Sequence, residues 1–298
     1  MKILYFSDKY TWDNWGTKRS IYEEVKRREN HIIWQDRGSI KKIINLIKIH
    51  KPNQIWLSHS NLTISSEVKK KIRIPVVGFG FSDPYNFKVD RLNSYDVYIT
   101  NHYDTFIKFK NKMPVLYNPT ASDFNFHAKS GVEKDMDISI IGTGRHRMFK
   151  KRKSRLDIVS RLRKDGYSVA AYGQAWPKHK NNKGFIKGKS FLNIINRSKI
   201  GIDIQDENSP LAHRMMEYLS CGTLCITRRR EEVSRVFDIG KEIVVYDNYK
   251  DLKDKIEYYL NNEEERKTIE KNAMKRCKRD HNITSRVDNI INFVDGIK

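Results

Sequence analysis

Short apolar segments alternate with amphipathic ones along this chain, and that rhythm constrains its fold more than any other feature. Runs rich in β-branched and aromatic residues, such as 2–6, 31–34 and 75–81, are separated by segments of helical period such as 39–51. Strands that are apolar along their whole length, with helices between them, are typical of a parallel sheet covered on both faces. The pattern predicts an α/β fold.

The same alternation starts again after about residue 134, beyond the polar segment 121–137. Two successive doubly wound, Rossmann-like units are therefore expected, and such sheets bind ligands at the carboxyl ends of their strands. We predict an N-terminal domain over 1–130, a C-terminal domain over 131–281, and a last helix over 282–298 that crosses back to the first domain.

The chain is strongly basic, with 58 Lys and Arg against 36 Asp and Glu and a net charge of +22. Residues 1–130 hold 22 of the basic and 12 of the acidic side chains, so the excess is spread over both halves. Such a field attracts nucleic acid, anionic membrane surfaces and acidic glycans. A lysine-rich composition from an AT-rich genome explains the same excess, so charge by itself does not identify the partner.

Nothing in the sequence indicates insertion into a membrane or export. No apolar run approaches the roughly 20 residues that span a bilayer, and the segment after Phe6 is too polar for a signal peptide. The three cysteines, Cys221, Cys225 and Cys277, form no CxxC pair, which favours a reducing compartment. We expect a cytoplasmic protein with no stable membrane insertion.

The first strand predicted for the second domain ends in a glycine turn, which a basic segment follows. The turn and the nearest arginines are Gly142, Thr143, Gly144, Arg145, Arg147 and Arg155. Backbone N–H groups at such a turn, with a helix N-terminus behind them, form an anion site. Arg147 replaces the third glycine of GxGxxG, so a dinucleotide fingerprint is not supported. Two interpretations stay open: a bound phosphate, or a tight turn followed by a solvated basic helix.

The segment 211–220 has an apolar stripe at four-residue spacing, which is typical of a helix that faces a core. Arg214, Glu217 and Tyr218 lie at positions i, i+3 and i+4 and therefore share another face. The charged pair is either an ordinary salt bridge worth a few tenths of a kcal/mol, or part of a ligand site. In the second case Arg214 contacts a phosphate and Glu217 accepts hydrogen bonds from a ribose diol.

Several motifs occur in the order in which one known family has them. They are an R-x-x-E helix at 214–217, a Cys-Gly turn at 221–222, GKEIVVYD at 240–247 and DLKDKIEYYL at 251–260. Upstream, DISIIGTGRHR and VAAYGQAW are two further strand-glycine segments. Between about residues 135 and 286 the chain resembles CgeB-like glycosyltransferases, a branch of the GT-B group that uses nucleotide sugars.

The resemblance implies a hexosyltransferase of GT-B architecture, in which two Rossmann-like domains face a central cleft and the C-terminal domain holds a UDP-sugar. It implies that Glu217 binds the ribose and Arg214 the diphosphate. The other donor-binding residues it implies are Gly142, Thr143, Gly144, Arg147, Tyr172, Gly173 and Tyr218. No required metal is predicted, since the nine histidines show no HExxH or paired-ligand spacing; Mg²⁺ could assist the departing diphosphate.

Sugar transfer to a hydroxyl group calls for a base within hydrogen-bond reach of the acceptor. Asp83 is the first candidate because it follows a buried strand and precedes a proline-forced turn; Asp13 and His102 are the alternatives. Asp83 is equally well explained as a turn residue that bonds its own backbone, and a retaining enzyme needs no base of this kind.

Aromatic and cationic side chains are interleaved near the N-terminus, at Trp12, Trp15, Lys18 and Arg19. This mixture suits a groove that follows a phosphate backbone and stacks on an unpaired base. The predicted acceptor is DNA with hydroxymethylated pyrimidines, which phage enzymes of the same broad fold modify. Two alternatives stay open: a cell-surface, spore-coat or lipid-linked acceptor, and a non-catalytic nucleic-acid-binding protein on an α/β scaffold.

Overall fold

The chain divides into two compact units, Met1–Ala121 together with Ile283–Lys298, and Ser122–Asn282. The structure is a computed structural model that describes residues 1–7, 16–28, 31–36, 40–58, 64–81, 83–84, 89–144 and 153–297. No helix in these ranges is both long enough and apolar enough to cross a bilayer.

The first unit is a six-stranded parallel sheet with helices between the strands. Its strands are β1 (Lys2–Ser7), β2 (His31–Asp36), β3 (Gln54–Leu57), β4 (Val76–Gly80), β5 (Val97–Thr100) and β6 (Val115–Tyr117). Its helices are α1 (Thr17–Arg27), α2 (Ile40–His50), α3 (Ser66–Ile72) and α4 (Tyr103–Phe109), with a 3₁₀ turn at Val89–Ser94. The strand order is β2-β1-β3-β4-β5-β6, and every neighbouring pair is parallel.

The central strands of this sheet are apolar on both faces because both faces are covered. Ile3 and Tyr5 pack into one core, whereas Leu4 and Phe6 pack into the other, since successive side chains of a strand point to opposite sides. This is why the sequence runs are continuously apolar and do not alternate.

The last helix of the chain, α11 (Ile283–Asp295), belongs to this first unit. Its apolar residues recur at helical spacing and join the core that contains Ile21 and Val25 of α1. Arg28 forms an ion pair with Asp288 and donates a hydrogen bond of 2.9 Å to the carbonyl of Thr284. Helix α11 therefore covers one face of the first sheet although it lies at the end of the sequence.

The second unit is a five-stranded parallel sheet with the order β11-β10-β9-β7-β8. Its strands are β7 (Met136–Ile141), β8 (Val169–Tyr172), β9 (Ser198–Asp203), β10 (Leu224–Arg228) and β11 (Val244–Tyr246). Its helices are α5 (Lys153–Lys164), α6 (Gly188–Arg197), α7 (His213–Ser220), α8 (Glu231–Ser234), α9 (Tyr249–Asn261) and α10 (Glu263–Asp280).

The second unit begins at Ser122, earlier than the boundary that the sequence suggests at residue 130. The backbone N–H of Ser122 donates to the carbonyl of His281 at 2.8 Å, and its hydroxyl donates to the carbonyl of Met216 at 3.2 Å. Farther along, the side chain of Asn196 accepts from the N–H of Ser130 at 2.7 Å. The polar segment after residue 121 is thus fastened to the second unit by hydrogen bonds that sequence patterning does not reveal.

The packing of α7 on the second sheet depends on two glycines. A Cβ at Gly201 of β9 would come closer than 3.0 Å to the ring of Tyr218, so the ring lies directly on bare backbone. Gly222 has φ 69° and ends α7, where its N–H bonds the carbonyl of Leu219 at 3.2 Å. A left-handed residue after a helix favours glycine, which explains the Cys221-Gly222 turn in the sequence.

Candidate active site

A buried carboxylate at the first turns of α7 is surrounded by three nitrogen-bearing side chains. The guanidinium of Arg214 forms an ion pair with Oε2 of Glu217. The Nε2 atoms of His127 and His213 each lie 3.3 Å from Oε1 of the same carboxylate. We call His127, His213, Arg214 and Glu217 the α7 cluster. Glu217 is only 5% exposed, so these neighbours, more than solvent, determine its charge state.

The α7 cluster contains one anion, Glu217, and one permanent cation, Arg214. Burial alone would raise the pKa of Glu217, but its polar neighbours, Arg214 foremost, outweigh it and lower that pKa to about 2. Burial lowers the pKa of His213 to about 4, against the pull of Glu217. At neutral pH, Glu217 is therefore ionised and His213 is uncharged.

Aromatic rings hold the α7 cluster in place. The guanidinium carbon of Arg214 lies 4.2 Å from the ring centroid of Phe191 on α6, a cation–π contact. The ring of His127 meets Phe126 edge-on at 4.9 Å between centroids and Phe191 at 6.1 Å. The side chain of Arg214 is 27% exposed, so its charge remains accessible to a ligand.

The N-terminus of α7 is itself positioned by a buried arginine after β10. Arg230 donates to the carbonyl of Ser209 at 2.8 Å and to that of Pro210 at 3.0 Å. Its side chain is fully buried, and Asp203 at the end of β9 lies 3.8 Å away. Of the three consecutive arginines at 228–230, Arg230 therefore braces the loop into α7, whereas Arg229 forms an exposed pair with Asp247.

The glycine turn after β7 has a different role from the predicted anion cradle. The N–H of Gly142 donates to the carbonyl of Tyr172 at 2.8 Å, and the N–H of Gly144 donates to that of Gln174 at 2.9 Å. The carbonyl of Gly142 accepts from Nε1 of Trp176 at 2.8 Å. These groups bind the neighbouring strand end, which favours the tight-turn interpretation; donor binding by Gly142, Thr143 and Gly144 stays a prediction.

The glycines are needed because two backbones approach closely at this edge of the sheet. Gly173 has φ 129°, and a Cβ there would come closer than 3.0 Å to the carbonyl oxygen of Gly142. Arg155 ties the same edge together, since it donates to the carbonyls of Thr143 at 2.7 Å and Ile204 at 2.8 Å. Arg155 is thus a brace between β7 and β9 and not the exposed cation that the sequence suggested.

Tyr218 and Tyr172, both predicted to contact the donor, are buried. Tyr218 is 0% exposed, and its hydroxyl lies 3.2 Å from both the hydroxyl and the carbonyl of Ser139. A fully buried ring has no surface for a ligand, so the prediction for Tyr218 is corrected: it packs α7 on the sheet. Tyr172 ends β8 and belongs to the same core.

The two candidate bases that lie in described segments are buried and hydrogen-bonded. Asp83 accepts from the hydroxyl of Thr100 at 2.7 Å and from that of Tyr98 at 2.9 Å, and burial raises its pKa to about 6. His102 caps α4, where its Nδ1 accepts from the N–H of Thr105 at 3.3 Å. Both side chains thus have a structural explanation in their own unit.

The predicted acceptor residues are only partly described. Arg19 on α1 lies 3.6 Å from Glu23, and the carbonyl of Lys18 accepts from the hydroxyl of Tyr5 at 3.0 Å. The other predicted residues, Trp12, Asp13, Trp15 and Arg147, lie outside the described residues.

His127 is a member of the α7 cluster that sequence reasoning missed. It lies 86 residues before His213 in a polar segment without regular secondary structure, so no spacing rule connects the two. Phe191 was missed as well, because an aromatic residue in an amphipathic helix is indistinguishable from ordinary core.

Comparisons with known proteins agree with the fold and the enzyme class. Residues 151–292 match a family model described as "Glycosyl transferase-like", and a search of curated proteins gives no match. Among solved structures, HepE from Anabaena in complex with UDP and glucose has a TM-score of 0.73 at 13% identity, with 99% of this chain and 100% of that chain covered.

Two further structures show the same likeness. Sucrose-phosphate synthase from Thermosynechococcus elongatus has a TM-score of 0.71 at 11% identity, covering 100% of this chain and 99% of that one. AviGT4, involved in avilamycin A biosynthesis, has a TM-score of 0.67 at 9% identity, covering 100% and 98%. The predicted α/β fold with two Rossmann-like domains in GT-B architecture is confirmed, and residues 151–292 are similar to the glycosyl transferase-like family. The CgeB-like branch stays a resemblance.

Proposed function

We propose that this protein transfers a sugar from a UDP-sugar to a hydroxyl group of an acceptor. The observation that carries the proposal is the α7 cluster, which places an ionised Glu217 beside Arg214 at the start of a helix in the glycosyl transferase-like domain. The structural relative HepE is described in complex with UDP and with UDP-glucose, which supports uridine as the nucleotide.

The start of α7 suits a diphosphate. Ala212 at the N-cap position provides no side-chain hydrogen bond to the first turn, so the positive end of the helix dipole is left to other partners. Arg214 in that turn adds a cation that is partly exposed. Both features stabilise the charge that builds on UDP as the bond between the sugar and the β-phosphate breaks.

Glu217 suits the ribose, because an ionised carboxylate accepts two O–H hydrogen bonds from a diol. Its low pKa keeps it ionised at every physiological pH. Arg214 holds Oε2 and the two imidazoles lie 3.3 Å from Oε1, so the ribose is proposed to displace an imidazole from Oε1. Donor binding then depends on Arg214 through charge and on Glu217 through hydrogen bonding.

Asp83 is the proposed base that takes the proton of the acceptor hydroxyl as its oxygen bonds the sugar carbon. Its pKa of about 6 lies near the working pH, which is where a general base is most effective. Because Asp83 is also hydrogen-bonded by Tyr98 and Thr100, its catalytic role must be separated by experiment from its structural one.

The acceptor is proposed to be a polyanion, with hydroxymethylated DNA as the specific hypothesis. The cations of the first unit include lysines on three helices and at their ends: Lys41, Lys42, Lys69, Lys70, Lys71, Lys108, Lys110 and Lys112. Lys110 lies 5.8 Å from the ring centroid of Phe106, a ring that is only partly buried. Cations beside aromatic rings suit phosphates with unstacked bases.

The experiment combines purified protein, a panel of UDP- and GDP-sugars, and DNA with or without 5-hydroxymethyl pyrimidines, followed by nucleoside mass spectrometry. A glycosylated base with one UDP-sugar supports the whole proposal. Donor hydrolysis without DNA modification retains the enzyme but rejects DNA, and a glycan or lipid-linked acceptor replaces it. Absence of binding to every nucleotide sugar refutes the transferase and leaves a non-catalytic protein.

A further inference from the structure

The α7 cluster has a second chemical property that donor binding does not use. His127, His213 and Glu217 each present one ligand atom, and these atoms all lie within 4.8 Å of one another. Two imidazoles and one carboxylate are ligands that zinc-type metal ions prefer. The salt bridge to Arg214 explains why a carboxylate can be buried here. It does not explain why two imidazoles are directed at the other carboxylate oxygen, Oε1.

The distances match those of a coordination site. In a tetrahedral zinc site the ligand atoms lie about 2.0–2.2 Å from the metal, and therefore roughly 3.3–3.6 Å from one another. Both imidazole Nε2 atoms lie 3.3 Å from Oε1 of Glu217. All three atoms lie within 4.8 Å of one another, so an ion among them would draw the two rings together to reach this geometry.

His127 supplies an independent sign of a ligand. The side chain is 1% exposed; Nδ1 has no hydrogen-bond partner among the described residues, and Nε2 lies 3.3 Å from Oε1 of Glu217. A buried polar group without such a bond is costly. Coordination of a metal by Nε2 would give the buried ring a stronger partner than this 3.3 Å contact.

The surroundings match those of known metal ligands. Ligating carboxylates are usually held by a hydrogen bond to their second oxygen, and Arg214 occupies Oε2 of Glu217. The side chain of His213 is 24% exposed, which gives an ion a path from solvent. Three protein ligands leave a fourth position open.

We propose that His127, His213 and Glu217 form a binding site for a divalent transition-metal ion of the zinc class. Metal binding does not depend on the proposed function. One consequence of metal binding does depend on the proposed function. The ion and a ribose diol both require Oε1 of Glu217, so the metal and the UDP-sugar exclude each other. The metal is then an inhibitor of the transferase and not its cofactor.

The test uses full-length protein without a polyhistidine tag, stripped with EDTA. Co²⁺ is titrated in while the visible absorption of tetrahedral cobalt is recorded, and Zn²⁺ is then added as a competitor. We expect one equivalent of Co²⁺ per chain, displaced by Zn²⁺, and at least tenfold weaker binding in His127→Gln and His213→Gln. His179→Gln removes an exposed imidazole of the same unit and should bind like the wild type.

The outcomes separate the metal site from the proposed function. His127 is buried, so circular dichroism checks that His127→Gln is folded; if it is not, His213→Gln, at a partly exposed position, carries the test. A spectrum without a cobalt band, or equal binding by the two variants and the control, overturns the proposal. UDP affinity of the wild type is measured in EDTA and again with Zn²⁺, and equal affinity under the two conditions overturns the mutual exclusion alone.

Discussion

Replacing Arg214 by methionine tests the α7 cluster most sharply, because it removes the cation while keeping a side chain of similar length. The pKa of Glu217 is about 2 in place of the ordinary 4.5, which corresponds to about 3 kcal/mol of favourable interaction. The imidazoles share this energy, and Arg214 is partly exposed to screening solvent. We therefore expect Arg214→Met to lower the free energy of unfolding at pH 7 by about 1–2 kcal/mol.

The pH dependence of this loss follows from the sign of the shift. The folded-state pKa lies below the unfolded one, so the stabilisation is complete above about pH 4.5 and disappears as the pH falls toward 2. Urea unfolding at pH 7, 5 and 3.5 should show a difference between wild type and variant that shrinks in acid. Arg229→Met breaks an exposed pair with Asp247 and should cost less than about 0.5 kcal/mol.

The refuting result is an Arg214→Met protein with an unfolding free energy and a UDP affinity equal to those of the wild type. In that case the guanidinium neither stabilises the buried carboxylate nor contacts the donor.

Three further substitutions test other parts of the structure. Asp83→Asn should raise the unfolding free energy at pH 8 by about 1–3 kcal/mol and leave it unchanged at pH 3.5. The folded pKa of about 6 lies above the ordinary 3.8, so the buried charge destabilises the fold only as the pH rises through that interval. An unchanged turnover in this variant would exclude Asp83 as the base. His102→Ala should cost about 1 kcal/mol through loss of the α4 cap, and a stability equal to wild type would contradict the cap. Gly201→Ala should cost about 1–3 kcal/mol by overpacking against Tyr218, whereas Gly131→Ala, where a Cβ meets nothing within 4 Å, should be neutral in the same thermal unfolding assay.

The parallel sheets could be predicted from the sequence because their signal is local. Residues Leu4, Tyr5 and Phe6 are all buried, and a continuously apolar strand is readable from the strand itself. The R-x-x-E pair was likewise readable, since positions 214 and 217 meet on one helix face whatever the rest of the fold does.

The rest of the site depends on contacts between segments that are distant in sequence. His127 meets Glu217 only because the segment after Ser122 is fastened to the second unit. In the sequence, the glycines at 142 and 173 resemble a phosphate-binding loop. In the structure, the backbones of these two glycines lie directly against each other. By spacing, Tyr218 shares a helix face with Arg214. In the structure its ring packs into the core, because Gly201 has no side chain at the position where the ring lies.

Isothermal titration of UDP into metal-free protein tests the central claim, a donor site at the start of α7, most directly. The account predicts saturable binding of one UDP per chain to the wild type, weakened at least about tenfold in Arg214→Met by loss of a charge-assisted contact. Absence of UDP binding at millimolar concentration, or equal binding by the wild type and Arg214→Met, would contradict it.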